Sequence, residues 1–301
     1  MPPLLVLSNA NAGSADETVL DAVLAALREG AEVHSAPTDG PAELARALGE
    51  YPEHRPVAVG GDGTLHLLVA ALRDRGELAN RTVGLVPMGT GNDFARTLGI
   101  PDDPVNAAGV VLHGRSRTLD LLTDNAGGVV VNVVHLGIGA QASKDGTPLK
   151  AALGPAAYKV GAVLAGLRVR GWELKVVVDG RTVTDGRGRV LQVAIGNGRT
   201  IGGGTPLTPG AVPDDGLADV VVSTATGPLS RLRYARLLPD GRHPDHPAVL
   251  VVRGREVEVS GPSTPVNSDG ELGEPVTRRR WTVRPGAWRI TVPSTFGSMI
   301  H

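Results

Sequence analysis

Several short stretches of this 301-residue sequence combine residue types that could handle phosphate. Gly60-Gly61-Asp62-Gly63-Thr64 follows the apolar run Val57-Ala58-Val59. Glycines let backbone N–H groups approach an oxyanion closely, and the start of a following helix favours negative charge. A carboxylate in such a cradle repels phosphate unless a cation intervenes, which casts Asp62 as acting through magnesium or its water shell. An ordinary βα turn with a capping aspartate accounts for the same residues equally well. Gly89-Thr90-Gly91-Asn92-Asp93 follows the next apolar run, 82–86, and so belongs on the same sheet edge. There Thr90 can offer a hydroxyl to phosphate, while Asn92 and Asp93 can cap a helix or orient the first loop.

Two acidic stretches lie much further on. Asp269 and Glu271 flank a single glycine. In an extended segment the two carboxylates would point the same way, one to take a proton and the other to hold a water or a metal. Ser268-Asp269-Gly270 is equally good turn chemistry, and without other information the turn is the stronger reading. Asp214-Asp215-Gly216 reads as a turn too, although a carboxylate beside a run of carbonyls also suits a hard cation. The histidines His34, His66, His113 and His135 lack metal-ligand spacing. His66 stands apart only because it lies beside the glycine loop. Arg278-Arg279-Arg280 reads as a solvated face more readily than as a contact for anionic lipid.

The elements that must position these residues fall into two textures. Up to about residue 120, strand and helix patterns alternate. The run Leu4-Leu5-Val6-Leu7 suits a strand buried on both faces. Ser14 and Glu17 form a capping-box pattern before a helical apolar stripe closed by Gly30. Further strands are predicted at 31–35, 57–59 and 82–86, with helices at 41–48 and after the first glycine loop. Such repeats imply a parallel sheet covered by helices. From Arg117 onward, short valine-rich runs dominate (129–134, 174–178, 190–195, 220–222, 249–252, 257–259), with an Asp179-Gly180 hairpin signal and helices at 155–167 and 229–238. The expected organisation is an α/β domain over 1–120 and an antiparallel β domain over 121–287, with a last strand near 288–301 packing back on the first.

Composition removes several classes. Thirty Lys and Arg balance 31 Asp and Glu, for a net charge of −1, so the broad basic face of a nucleic-acid binder is not expected. Without cysteine, disulfides and zinc–thiolate sites are ruled out. The N-terminus carries no basic region of the signal-peptide kind, and Asn132 and His135 interrupt the longest apolar run. The expectation is a cytoplasmic protein without a transmembrane segment, peripheral at the inner membrane surface if its substrate is a lipid.

The pair Gly60-Gly61-Asp62-Gly63-Thr64 and Pro87-x-Gly89-Thr90-x-Asn92-Asp93-Phe94-Ala95 resembles the catalytic domain of the diacylglycerol, sphingosine and ceramide kinases, nearest to the bacterial lipid kinases. The resemblance extends through Asn197-Gly198, residues 202–204, Pro209, Ala211, Asp215-Gly216-Leu217 and Asp269-Gly270-Glu271, covering nearly the whole chain. It implies a nucleotide-binding α/β domain, a C-terminal antiparallel β-sandwich, and transfer of a phosphoryl group from ATP, with Mg2+, to a lipid hydroxyl at a membrane surface. The implied ATP site comprises Asn9, Asn11 and Gly13 of the first loop, Thr38, Gly60 and the run Gly61, Asp62, Gly63, Thr64, Leu65, His66 and Leu67, completed by Gly89, Thr90, Asn92 and Asp93. Asp215 matches a metal position, with Val212 and Leu217 supplying carbonyls. Glu271 matches the proton acceptor, with Asp269 and Asp62 the other catalytic candidates. The first loop departs from the family pattern, since Asn9-Ala10-Asn11-Ala12-Gly13 contains neither proline nor lysine.

Two other readings compete. One is an NAD kinase-like or other small-alcohol kinase, which shares the Gly-Gly-Asp-Gly-Thr loop; the other is a nucleotide-binding sensor without catalysis, favoured only by the atypical first loop. A lipid entrance including part of 135–167 and a homodimer through strand-edge pairing are both compatible with the sequence and demanded by nothing in it.

Overall fold

The structure is a computed structural model, which describes residues 2–9, 14–138, 140 and 170–294. The chain divides into two compact units, residues 1–121 with 285–301, and residues 122–284.

The first unit is an α/β layer structure. β1 (Leu4–Asn9), α1 (Ser14–Arg28), β2 (Val33–Thr38), α2 (Pro41–Glu50), β3 (Arg55–Gly60), α3 (Asp62–Asp74), β4 (Thr82–Pro87), α4 (Asp93–Leu98) and α5 (Pro104–His113) alternate, and β5 (Arg115–Asp124) then leads out. β1 to β4 pair in parallel, in the order β2-β1-β3-β4. Leu4, Leu5, Val6, Leu7, Val57 and Ala58 are fully buried, as expected for strands covered on both faces. α5 shows how local chemistry sets an end: the Asp103 carboxylate accepts the Asn106 N–H at 2.8 Å, and Pro104 occupies the first turn.

The second unit is antiparallel and β-sandwich-like. It contains β6 (Val129–Val130), β7 (Val133–Gly137), β8 (Lys175–Val178), β9 (Arg181–Asp185), β10 (Gln192–Gly196), β11 (Ala218–Ser223), α6 (Pro228–Leu237), β12 (Val249–Gly254), β13 (Glu256–Ser268) and β14 (Glu271–Val292). A core of Val134, Leu136, Val193, Ile195, Val220, Val259 and Trp281 lies between its layers. Asp179 and Gly180, at φ 47° and 76°, join β8 to β9 in the two-residue turn their types predicted.

The triplet Arg278-Arg279-Arg280 lies inside the 22-residue β14, with Arg278 and Arg280 exposed. Cross-strand partners make that possible. Arg278 and Arg280 reach Glu258 at 3.1 and 2.9 Å, and Arg279, facing the other way, reaches Asp124 at 2.6 Å. The far end of β14 returns to the first unit, where Arg289 and Ile290 pair in parallel with Thr82 and Val83 of β4. There Trp288 is fully buried, donates its indole N–H to the Asp120 carbonyl at 3.0 Å, and stacks on Phe94. The helix expected at 155–167 lies outside the described residues.

Candidate active site

In the first unit the strand register gathers the nucleotide candidates at one edge. Asn9 pairs with Thr38, and Gly60 with Pro87, so β1 to β4 all end on the same side. In parallel α/β sheets this carboxyl edge is where ligands bind. Asn11 and Gly13 lie outside the described residues. Thr38 is buried, and its hydroxyl donates to the Ser8 carbonyl at 3.3 Å.

The two glycine loops are packed backbone against backbone. Met88 N–H donates to the Gly60 carbonyl at 2.9 Å. A Cβ on Gly89 would stand 2.5 Å from the Gly61 Cα, and one on Gly60 would stand 2.3 Å from the Thr64 hydroxyl oxygen. A side chain on Gly63, by contrast, would meet nothing within 4 Å. Gly89→Ala is therefore expected to lower stability by roughly 1–3 kcal/mol through overpacking. Gly63→Ala, the control, is expected to leave the fold intact; thermal denaturation of the two variants checks both.

Asp62 locks this arrangement. It opens α3, yet its carboxylate reaches across to the second loop, where Oδ2 accepts the Asp93 N–H and Oδ1 the Phe94 N–H, each at 3.0 Å. The first loop thus caps α4, reversing the expected roles. Asn92 stands at the N-cap position of α4 at φ 52° but makes no capping bond. Its amide instead brackets Gly89, accepting the N–H at 3.0 Å and donating to the carbonyl at 2.8 Å. Asp93 is buried and pairs with Arg96 at 3.3 Å, while Thr90 is exposed at the loop tip. The Leu65 side chain is 1 % exposed in the core, which leaves its backbone to serve a ligand. His66 and Leu67 are half-buried on α3.

In the second unit Asp269 and Gly270 form the turn between β13 and β14, with φ of 52° and 93° and Ser268 paired to Glu271. The extended arrangement with parallel carboxylates is not what forms. The Asp269 carboxylate accepts the N–H groups of Val131 (2.7 Å), Asn132 (2.9 Å) and Val133 (3.1 Å). Asn132 and Asn197, which sequence reasoning did not assign a role, brace the same stretch: Asn132 donates to the Thr200 carbonyl and Asn197 to the Val131 carbonyl, each at 2.9 Å. Asn267 adds a bond from the Gly270 N–H at 3.0 Å. The Glu271 side chain is exposed and makes no hydrogen bond or ion pair among the described residues. Of the two carboxylates, Asp269 is half-buried and held by backbone N–H groups, while Glu271 is exposed.

His135 lies in the same sheet, opposite Asn267 and Ala194. Burial pushes its imidazole down from 6.5 to about 4. Between those values the unfolded chain binds a proton that the folded chain excludes. Stability is therefore complete above pH 6.5 and falls as pH drops towards about 4. The loss amounts to roughly 3 kcal/mol. Acid titration of the melting temperature is expected to show it, and His135→Gln to flatten the profile.

The Asp215 carboxylate is engaged within the chain on both oxygens. One carboxylate oxygen accepts the Leu217 N–H at 3.0 Å, and the other is paired with the Arg253 guanidinium, which also holds Asp219 at 3.2 Å. The Arg253 guanidinium thus lies between two carboxylates, and among the described residues no cluster of three acidic or histidine side chains exists. In this structure the Asp215 carboxylate is thus held by an ion pair and a turn. Burial raises the Asp219 carboxyl to about 6, against the pull of Arg199.

A diacylglycerol kinase catalytic domain matches residues 3–123, and a YegS C-terminal NAD kinase beta sandwich-like domain matches residues 132–292. This defines the class: the chain belongs to the diacylglycerol kinase family of proteins with a YegS-type C-terminal domain. Among its relatives are proteins named probable lipid kinase YegS-like. The one from Pseudomonas aeruginosa (strain PAO1) is 38 % identical over 306 residues, 97 % of this chain and 94 % of the relative. The one from Stenotrophomonas maltophilia is 32 % identical over 309 residues, covering 96 % of each. The fold also matches a crystal structure of a putative diacylglycerol kinase from Bacillus anthracis, with a TM-score of 0.77 at 22 % identity, over 97 % and 95 % of the two chains.

Proposed function

We propose that this chain transfers the γ-phosphate of MgATP to a hydroxyl of a lipid such as diacylglycerol. The observation that carries the reading is the double glycine loop, locked by Asp62 at the carboxyl edge of a parallel sheet. Such a loop offers backbone N–H groups to phosphates, and the start of α3 behind it favours their charge. Magnesium enters bound to the nucleotide as part of the substrate. Phosphoryl transfer then asks for positioning and for a group to take the acceptor's proton. Glu271 takes the hydroxyl proton as the oxygen forms its bond to the γ-phosphorus, and the bond to the ADP oxygen breaks. Asp62 and Asp269 act as positioning residues, fixing the nucleotide loops and the turn that carries Glu271.

The lipid reading also accords with the relatives' names, and no described helix is long and apolar enough to cross a membrane. We place the chain's action at a membrane surface. Incubation with MgATP and, side by side, lipids in micelles and NAD tests the acceptor class. Phosphorylated lipid is expected; phosphorylation of NAD without any lipid product would overturn the proposal.

A further inference from the structure

In the second unit, α6 (Pro228–Leu237) turns an apolar and cationic face to solvent. Leu229 is 83 % exposed and Leu232 is 61 % exposed, the two most exposed large apolar side chains among the described residues. A single leucine on a surface is ordinary. These two stand three positions apart on one helix and are therefore neighbours on its surface.

Arg233 and Arg236 complete the face. At about 100° per residue, Leu229, Leu232, Arg233 and Arg236 fall within one sector of about 100° around the helix axis. Both arginines are exposed, and their side chains make no hydrogen bond or ion pair among the described residues. The opposite side of the helix is anchored. Arg231 and Tyr234 are buried there, and Tyr234 packs in a core with Ala194 of β10, Val221 of β11 and Val249 of β12. The four outward residues thus ride on a helix fixed by its inner side.

Charge narrows what can cover them. α6 contains three arginines and no acidic residue, in a chain whose net charge is −1. The next acidic residue along the chain, Asp240, lies past the end of the helix and pairs with neither outward arginine. An occupant of this face has to take in two leucines and set negative charge against two cations. An anionic bilayer does both, because leucines enter the acyl boundary while arginines stay among the headgroups. A second copy of the same face does not, since it has no acid to offer the arginines. Nucleic acid would meet the arginines and gain little from the leucines.

We propose that this face of α6 docks the chain on an anionic lipid bilayer, with Leu229 and Leu232 at the acyl boundary and Arg233 and Arg236 on lipid phosphates. The inference rests on the lipid-acceptor reading above, and it gives the membrane contact to residues other than the glycine loops and Glu271. Two leucines and two arginines make a marginal anchor, so the attachment is reversible.

The test is flotation of the full chain with vesicles of phosphatidylcholine, alone or mixed in equal parts with phosphatidylglycerol. Wild type is expected to float with the anionic vesicles, to stay largely free of the neutral ones, and to be released by added salt. Arg233→Gln with Arg236→Gln, and separately Leu229→Ser with Leu232→Ser, are each expected to lower the partition coefficient about tenfold or more. Melting temperatures should stay close to wild type, because all four side chains are exposed. Unchanged binding in either double variant, or equal binding to both kinds of vesicle, would overturn the proposal. A wild-type dimer in sedimentation velocity that Leu232→Ser dissociates would give the face to a second copy instead. Phosphorylation of lipid in detergent micelles, run in parallel, keeps the two readings apart. A chain that phosphorylates micellar lipid but binds no anionic vesicle keeps its function and loses this docking face. Vesicle binding that the variants lose, without any lipid phosphorylation by wild type, keeps the docking face and overturns the kinase reading.

Discussion

Glu271→Gln is expected to lower phosphoryl transfer by roughly 10²–10⁴-fold, the usual contribution of a general base. Its melting temperature should match wild type, because the side chain is exposed and makes no hydrogen bond or ion pair among the described residues. Asp269 provides the contrast. Its two carboxylate oxygens serve three backbone N–H groups, those of Val131, Asn132 and Val133. In Asp269→Asn one oxygen becomes an NH₂ group that faces N–H donors, so at least one donor loses its partner. The expected cost is about 1–3 kcal/mol for each unsatisfied donor, read as a lower melting temperature. A variant pair in which Asp269→Asn loses turnover but keeps full stability, while Glu271→Gln stays active, would exchange the two assignments.

Asp62→Ala carries the second large effect. The methyl group leaves the Asp93 and Phe94 N–H groups without their acceptor and unlocks the two glycine loops. Phosphate positioning depends on those loops, so steady-state kinetics should show KM for ATP rising and kcat falling together. A loss of about 10²-fold or more in kcat/KM is the expected scale for misplacement of this kind. Asp62→Asn should recover little, since an amide offers one oxygen where two are needed. A fall in kcat with KM unchanged would instead give Asp62 a role confined to the transition state.

The sequence carried the strands, the glycine loops and their shared edge, because buried parallel strands are continuous apolar runs that stop at glycine. It also carried the Asp179-Gly180 turn, whose residue types leave few alternatives. What it hid were partners. Asp62 bonds to residues 31 and 32 positions away, and Asp269 to residues 136–138 positions away, and no local pattern records such distances. Each is a carboxylate in a glycine-containing loop that accepts consecutive N–H groups of another segment, as Asp179 does for Arg255 and Glu256. Residue types that read as metal or proton chemistry can thus be anchors. The full length of β14 was hidden for a related reason, although its end near 288 was expected. A strand with three successive arginines breaks the apolar alternation, and only Glu258 and Asp124 across the sheet and alongside it explain how they are held.

The central claim is tested most directly by transfer of labelled γ-phosphate from MgATP to a mixed panel of lipids in detergent micelles, with wild type, Glu271→Gln and Asp62→Ala run together. The predicted result is a labelled lipid with wild type and almost none with either variant, with Glu271→Gln as stable as wild type. No labelled lipid from wild type that binds ATP, or undiminished labelling by Glu271→Gln, would contradict the account.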